Sequence, residues 1–259
     1  MACASFLTDL RLHIELANIP GELSRCHGLR VYSYSYSYYS SPCYSFISAS
    51  TRFHHVRSRY PPGGTIVHTF KRSFVDVPID ANNGNAISTT EFLEAADSLV
   101  TIFDALGSVA FSAVKKDLNG NIKKLRDRQL TAPAESENIQ DLVRNELKTK
   151  KHVAAEGLLW LVRGLEFTCI GLSQNVAKPS EELADSFRTA YGSTLKPHHS
   201  FLVKPVFSAA MSACPYRKDF YAKLGADVDQ VHGDLRVYLA ALENIVGILK
   251  GFVDREGKW

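Results

Sequence analysis

Apolar residues recur at helical spacing along most of the chain beyond residue 64, and this periodicity predicts the elements. Ile66, Phe70 and Phe74 fall at i+4 intervals before Pro78, which predicts a first short helix. Ser88-Thr89-Thr90-Glu91 has the form of a capping box, and Phe92, Ala96, Leu99, Phe103 and Leu106 continue from it as one apolar face. Ile139, Leu142, Val143 and Leu147 mark another helix. The run GLLWLVRGLEFTCIGL, from Gly157 to Leu172, is apolar nearly all round, as a central, buried helix must be. Leu183, Phe187 and Tyr191 predict a further helix. So does the stretch from Phe201 to Ala213, in which Pro205 must either kink the helix or stand in its first turn. Val231, Leu235, Leu239, Leu242, Val246, Leu249 and Val253 form a long C-terminal stripe. No convincing alternating run of the kind that gives strands follows residue 64, so the expected fold class is all-α.

The chain changes character at Pro61-Pro62-Gly63-Gly64. Before it lies VYSYSYSYYSSPCYSFISAS, from Val31 to Ser50, a Tyr/Ser repeat flanked by basic residues between Arg52 and Arg59. Period-2 alternation is compatible with a strand, but no partner strands follow, and a low-complexity extension is the better reading. The expected organisation is a poorly ordered extension over residues 1–61, to which no function is assigned, and one domain over residues 62–259.

With 259 residues, 45% of them hydrophobic and 22% charged, the chain is long enough to bury a substantial core. Its net charge of +3 is too small, and too little clustered, to indicate nucleic acid. The five cysteines are odd in number and include no CxxC pair, and Cys169 in its apolar run reads as a small buried hydrophobe. A reducing, cytoplasmic setting fits that usage. The N-terminus lacks the basic and apolar regions of a signal peptide, and no stretch reaches the roughly 20 apolar residues of a membrane span.

Enzyme signatures are missing. Neither GxGxxG nor GxxxxGK[ST] occurs, nor a GxSxG elbow, and the pairs His54-His55 and His198-His199 lack the i, i+4 spacing that would converge on a metal. No catalytic residue, metal site or cofactor is expected. What remains is DLNGNIKKLRDR, which sets Asp117, Asn121 and Lys124 at i, i+4 and i+7 on one helical stripe. Toward one ligand the carboxylate can accept, the ammonium can donate and the amide can do both. An exposed charged face is the plainer reading of such a stripe taken alone. Trp160 alone reads as a core tryptophan, and His199 as a histidine at a helix start. A flat aromatic face beside hydrogen-bonding groups nevertheless suits a sugar, whose C–H face stacks while its hydroxyls exchange hydrogen bonds.

Three long blocks carry a resemblance: FDALGSVAFSAVKKDLNGNIKKL (Phe103 to Leu125), WLVRGLEF (Trp160 to Phe167) and KPHHSFLVKPVFSAAMSACPYRKDF (Lys196 to Phe220). In order and separation they resemble the glycolipid transfer protein family, most closely its fungal heterokaryon-incompatibility branch, from about Gly63 to Trp259. The resemblance implies a two-layer helical sandwich of about eight helices that moves glycosphingolipids between membranes without a cofactor. Asp117, Asn121 and Lys124 match the family's DxxxNxxK headgroup motif. Asp117 would accept from a sugar hydroxyl and the ceramide amide N–H, Trp160 would be the stacking platform, and His199, rather than His198, would donate to the amide carbonyl. Phe103, Leu106, Phe111, Val114, Phe167, Val206, Phe207 and Met211 match positions that line the family's lipid-chain pocket. Read from the sequence alone these eight are ordinary core. Phe201 stands where many members place a membrane-facing tryptophan, which implies weaker or more composition-dependent docking. No contact carries over to the GKW end.

The implied partner is a simple glycosphingolipid such as galactosyl-, glucosyl- or lactosylceramide, with transient, peripheral membrane contact. A carrier of ceramide-1-phosphate is the nearest rival, but such carriers place Lys and Arg where this chain has Asn121 and Trp160, and phosphate calls for those donors. Arg163 is common to both branches. A glycolipid sensor and an enzyme are rivals from other classes.

Overall fold

The computed structural model describes Tyr60, residues 63–107 and residues 111–256; the Tyr/Ser repeat, the rest of the N-terminal extension and Trp259 lie outside them. Among the described residues the α-helices are α1 (Thr89–Val100), α2 (Ile102–Leu106), α3 (Ser112–Thr131), α4 (Ile139–Lys148), α5 (Val153–Ala177), α6 (Leu183–Ser193), α7 (Lys204–Ser212), α8 (Arg217–Leu224) and α9 (Val228–Glu256). They build an all-α, two-layer sandwich around α5, which packs on α3, α4, α6 and α9.

The apolar run predicted to be central is α5. Ala154, Leu158, Leu161, Leu165, Phe167 and Leu172 are all buried along it. Three glycines seven residues apart, two helical turns each, let neighbouring helices approach closely. A Cβ on Gly157 would lie 3.1 Å from Lys124 Cβ and 3.3 Å from the Asn121 carbonyl oxygen of α3; one on Gly164 would lie 2.7 Å from Leu118 Cδ2. A Cβ on Gly171 would meet the Phe187 ring of α6 at 2.6 Å. The start of α5 is fixed from α4, where the buried Glu146 carboxylate accepts from the N–H groups of Ala154 and Ala155, each at 2.9 Å. A carboxylate there satisfies orphan donors and complements the helix dipole.

The C-terminal stripe forms α9, and its seven predicted residues are buried together with Tyr238, Ile245 and Phe252. The first predicted helix does not form. Ile66–Thr69 and Phe74–Asp76 are separate 3-10 turns, and Phe70 between them is extended, with ψ of 135°. Their apolar residues follow the surface of α9 instead, with the rings of Phe70 and Phe74 at 5.2 and 5.5 Å from Tyr238. The i+4 spacing therefore marks anchor points of an irregular segment.

Ser88 does precede α1, but the reciprocal capping box is not formed. Its hydroxyl donates to the Glu91 carboxylate, while its own N–H goes to the Pro78 carbonyl and that of Thr89 to the Glu137 carbonyl. The long face through Leu106 breaks at Thr101, whose hydroxyl turns back to the Ser98 carbonyl at 2.7 Å. Two strands, β1 (Ile79–Asp80) and β2 (Ala86–Ile87), pair antiparallel around left-handed Gly84 and Asn85. Two residues are too few for an alternating pattern to show. Gln140 of α4 ties this hairpin down, accepting from Ile87 N–H and donating to the Asn85 carbonyl, each at 2.9 Å. Pro205 stands in the first turn of α7, the second of its two predicted places, leaving Phe201 and Leu202 outside the helix. No helix among the described residues is long and apolar enough to cross a membrane.

Candidate functional site

The stripe on α3 is an ordered, directional ladder. Lys124 Nζ donates to Asn121 Oδ1 at 3.2 Å, and Asn121 Nδ2 donates to Asp117 Oδ2 at 3.3 Å. The charges at its ends decide the amide's orientation, because a flipped Asn121 would turn its donors on the ammonium and its oxygen on the carboxylate. Asn121 is buried, at 3% exposure, while Asp117 and Lys124 are half-buried. Burial pushes the Asp117 carboxyl up to about 6, against the opposing pull of Lys124 and the Asn121 hydrogen bond. A carboxylate held this way is costly to ionise and gains from further donors.

The close crossing of α3 and α5 sets the ladder beside Trp160. Gly157 abuts Asn121 and Lys124, Gly164 abuts Leu118, and Trp160 lies between those two glycines along α5. The His199 imidazole stacks on the Trp160 indole, with centroids 5.8 Å apart and planes at 21°. The Arg163 guanidinium, one turn along α5, stands 4.9 Å from the indole centroid. His199 sits in the segment between α6 and α7, where its N–H donates to the Leu195 carbonyl at 3.1 Å. Its ring also lies 4.5 Å from Phe207 of α7, and its Nδ1 is 3.2 Å from the Tyr191 hydroxyl of α6. Burial, then the neighbouring His198, Arg163 and Lys204, push the His199 imidazole down to about 4. At neutral pH it is an uncharged ring with one donor and one acceptor nitrogen. His198, next to it, is exposed.

Behind this rim the predicted chain-lining residues meet one another. Phe103 and Leu106 are buried on α2, Phe111 immediately before α3, Val114 on α3, Phe167 on α5, and Phe207 and Met211 on α7. Val206 is half-buried. Their rings join in an unbroken series: Phe103 to Phe111 at 5.9 Å, Phe111 to Phe187 at 6.4 Å, Phe187 to Phe167 at 5.3 Å and Phe167 to Phe207 at 6.3 Å. Phe201 is 79% exposed and Leu202 46%, an apolar pair standing out of the loop that holds His199. A groove of about 480 Å³ lined by residues including Ile66, Phe70, Ser98 and Asp104 involves none of the predicted contact residues.

The structure thus brings Trp160 and His199 into contact, sets the ladder on the neighbouring helix and leaves Phe201 in the open. One participant escapes a reading by spacing. Tyr191 reads as one apolar position of α6, and its hydroxyl's bond to His199 arises only from tertiary packing. Arg163 had a local signal, lying i+3 from Trp160 on the same helix.

The family model described as glycolipid transfer protein matches residues 87–226. Over 201 residues the chain is 61% identical to a glycolipid transfer protein of Aureobasidium melanogenum, spanning 77% of this chain and 98% of that protein. It is 32% identical to the pleckstrin homology domain-containing family A member 8 of Homo sapiens over 74% of its own length, and spans 39% of that longer protein. Among solved structures, the fungal glycolipid transfer protein HET-C2 superposes with a TM-score of 0.73 at 70% identity, over 75% of this chain and all of that one. FAPP2, described as selecting simple glycosphingolipids with the same fold, superposes with a TM-score of 0.68 at 32% identity, over 74% and 96% of the two chains.

Proposed function

The chain belongs to the glycolipid transfer protein family, and from that premise we propose that it carries single glycosphingolipids between membranes without altering them covalently. The observation that supports this best is the directed Lys124–Asn121–Asp117 ladder on α3, set by the glycine crossing beside the Trp160–His199 stack. In this reading the sugar of a galactosyl-, glucosyl- or lactosylceramide lies against Trp160. Its hydroxyls exchange hydrogen bonds with Asn121 and Lys124. Asp117 accepts from a hydroxyl and from the ceramide amide N–H, and His199 donates to the amide carbonyl.

The hydrocarbon chains enter among Phe103, Leu106, Phe111, Val114, Phe167, Val206, Phe207 and Met211. Each buried CH₂ contributes about 0.8 kcal/mol, enough to draw a lipid out of a bilayer only if the apolar interior receives it fully. Exposed Phe201, with Leu202, meets the membrane surface transiently. Residues 62–259 form the carrier domain, acting in the cytoplasm. A neutral sugar is preferred over a phosphate because Asn121 and Trp160 offer no cationic pair at the headgroup.

Asp117→Val tests the reading. Valine is close in shape but accepts nothing, so two ligand donors lose their acceptor. The expected cost is about 1.5–3 kcal/mol, or roughly ten- to hundred-fold in binding. Galactosylceramide transfer between vesicles should fall accordingly while the thermal melt holds or rises, since a buried carboxylate is removed. Normal transfer would return Asp117 to an ordinary polar stripe. Tight binding by the parent chain without transfer would instead mark a glycolipid sensor.

A further inference from the structure

We infer that Tyr191 is a positioning residue that fixes the tautomer of His199, holding the ring proton on Nε2. The inference rests on the proposed headgroup reading for its functional consequence, but the tautomer itself is a property of the protein alone.

Tyr191 lies near the end of α6 and is buried at 5% exposure. Its ring stacks on Phe207 at 5.3 Å with planes 10° apart and meets Phe167 edge-on at 6.5 Å. From that apolar seat its hydroxyl reaches His199 Nδ1 at 3.2 Å. Burial raises the phenol above its usual range, so it keeps its proton at neutral pH. Two arrangements satisfy the distance. If Nδ1 carried the imidazole proton, it would donate to the phenol oxygen, and the phenol hydrogen would have no other hydrogen-bond partner among the described residues. A buried donor without an acceptor is disfavoured. If the phenol donates to the Nδ1 lone pair, both groups are satisfied and the single proton of the neutral ring resides on Nε2.

That choice has a consequence at the ligand. Only a protonated Nε2 can donate to an amide carbonyl, whereas the other tautomer would present a lone pair to a lone pair. The stack on Trp160 and the tilted contact with Phe207 fix the ring plane, and the Tyr191 hydroxyl fixes which nitrogen bears hydrogen.

Tyr191→Phe in the full chain keeps the ring and its stacking but removes the hydroxyl. Long-range proton–nitrogen NMR of the imidazoles at neutral pH reads the tautomer directly. The expected result is an unprotonated Nδ1 and a protonated Nε2 for His199 in the parent chain, moving toward averaged values for both nitrogens in Tyr191→Phe. Galactosylceramide transfer should fall about two- to ten-fold, the range for one neutral hydrogen bond, with the melt essentially unchanged. A protonated Nδ1 in the parent chain, or the same nitrogen shifts in the variant, overturns the inference. Unchanged transfer by Tyr191→Phe while Asp117→Val still lowers it overturns the positioning role alone. Normal transfer by both variants overturns the headgroup reading on which that role rests.

Discussion

At the scale of single residues, Asp117 sets stability against function. Its carboxyl is pushed up to about 6 from an ordinary 3.8, chiefly by burial. Because the folded-state value is raised, the unliganded fold carries the full penalty above about 6 and regains stability as pH falls through that value toward 3.8. The penalty is on the order of 2–3 kcal/mol, at about 1.4 kcal/mol for each tenfold change in the protonation equilibrium. In the proposed headgroup reading a glycolipid reverses the preference, since its amide N–H and hydroxyl would donate to the ionised form. Galactosylceramide affinity, followed by tryptophan fluorescence, is therefore expected to fall about ten-fold between pH 7 and pH 5, while the unliganded melt holds or rises across the same window. His199, depressed to about 4, stays neutral throughout and cannot produce that change. Asp117→Val should remove the pH dependence, and a parent chain whose affinity is flat over this range would show that the carboxylate accepts nothing from the ligand. The ladder was legible in the sequence because i, i+4 and i+7 residues must share a helical stripe. The Tyr191 hydroxyl was not, because what it touches is decided by how α6 meets the segment ahead of α7.

At the scale of elements, the glycines of α5 decide where two helices cross. The periodic stretches became α1, α4, α5, α6 and α9 because a continuous apolar face is buried in each. The same rule failed for Ile66, Phe70 and Phe74, where three rings and chains dock on α9 without a helix to connect them. Helical periodicity also says nothing of how near two helices come. Gly157 and Gly164 could be read as costly interruptions of a helix; the structure shows that they admit α3. Gly157→Ala and Gly164→Ala should each overpack that crossing by about 1–3 kcal/mol, offset by the ~1 kcal/mol that alanine returns in helix preference. The net loss, about 1 kcal/mol, corresponds to a melt lowered by roughly 2–4 °C. Transfer should separate them. Gly157 bears on Lys124 and the Asn121 backbone, so its variant shifts the ladder relative to Trp160; Gly164 bears on the Leu118 side chain, which is not a predicted ligand contact. Measured together, Gly157→Ala is expected to lose several-fold more transfer than Gly164→Ala at a similar melt. Equal transfer losses would mean that the crossing matters only for stability.

At the scale of the molecule, the proposed reading makes one set of side chains serve as core and as lipid pocket. The sequence leaves these alternatives open at Phe103, Leu106, Phe111, Val114, Phe167, Val206, Phe207 and Met211, and the fold shows why they overlap. Seven of the eight are buried, and the rings among them close on one another through Phe187. On that reading hydrocarbon chains enter by parting these contacts, so the affinity for a lipid is the chain burial gained less the packing lost. Trimming a ring at the edge of the series should therefore weaken the unliganded fold and favour the liganded one. Phe103 is the suitable site, since it lies on α2, away from the His199 contacts, and meets Phe111 at 5.9 Å. Phe103→Leu should cost about 1 kcal/mol of unliganded stability, as a hydrophobic substitution that leaves a small void. The rise in melting temperature on adding galactosylceramide, which grows with the ratio of ligand to dissociation constant, should exceed that of the parent chain. If Phe103 were only core, the variant would melt lower and the ligand-induced rise would be unchanged or smaller. Thermal melts of both proteins, with and without lipid at matched concentration, distinguish a pocket made by displacement from a core that lipid never enters.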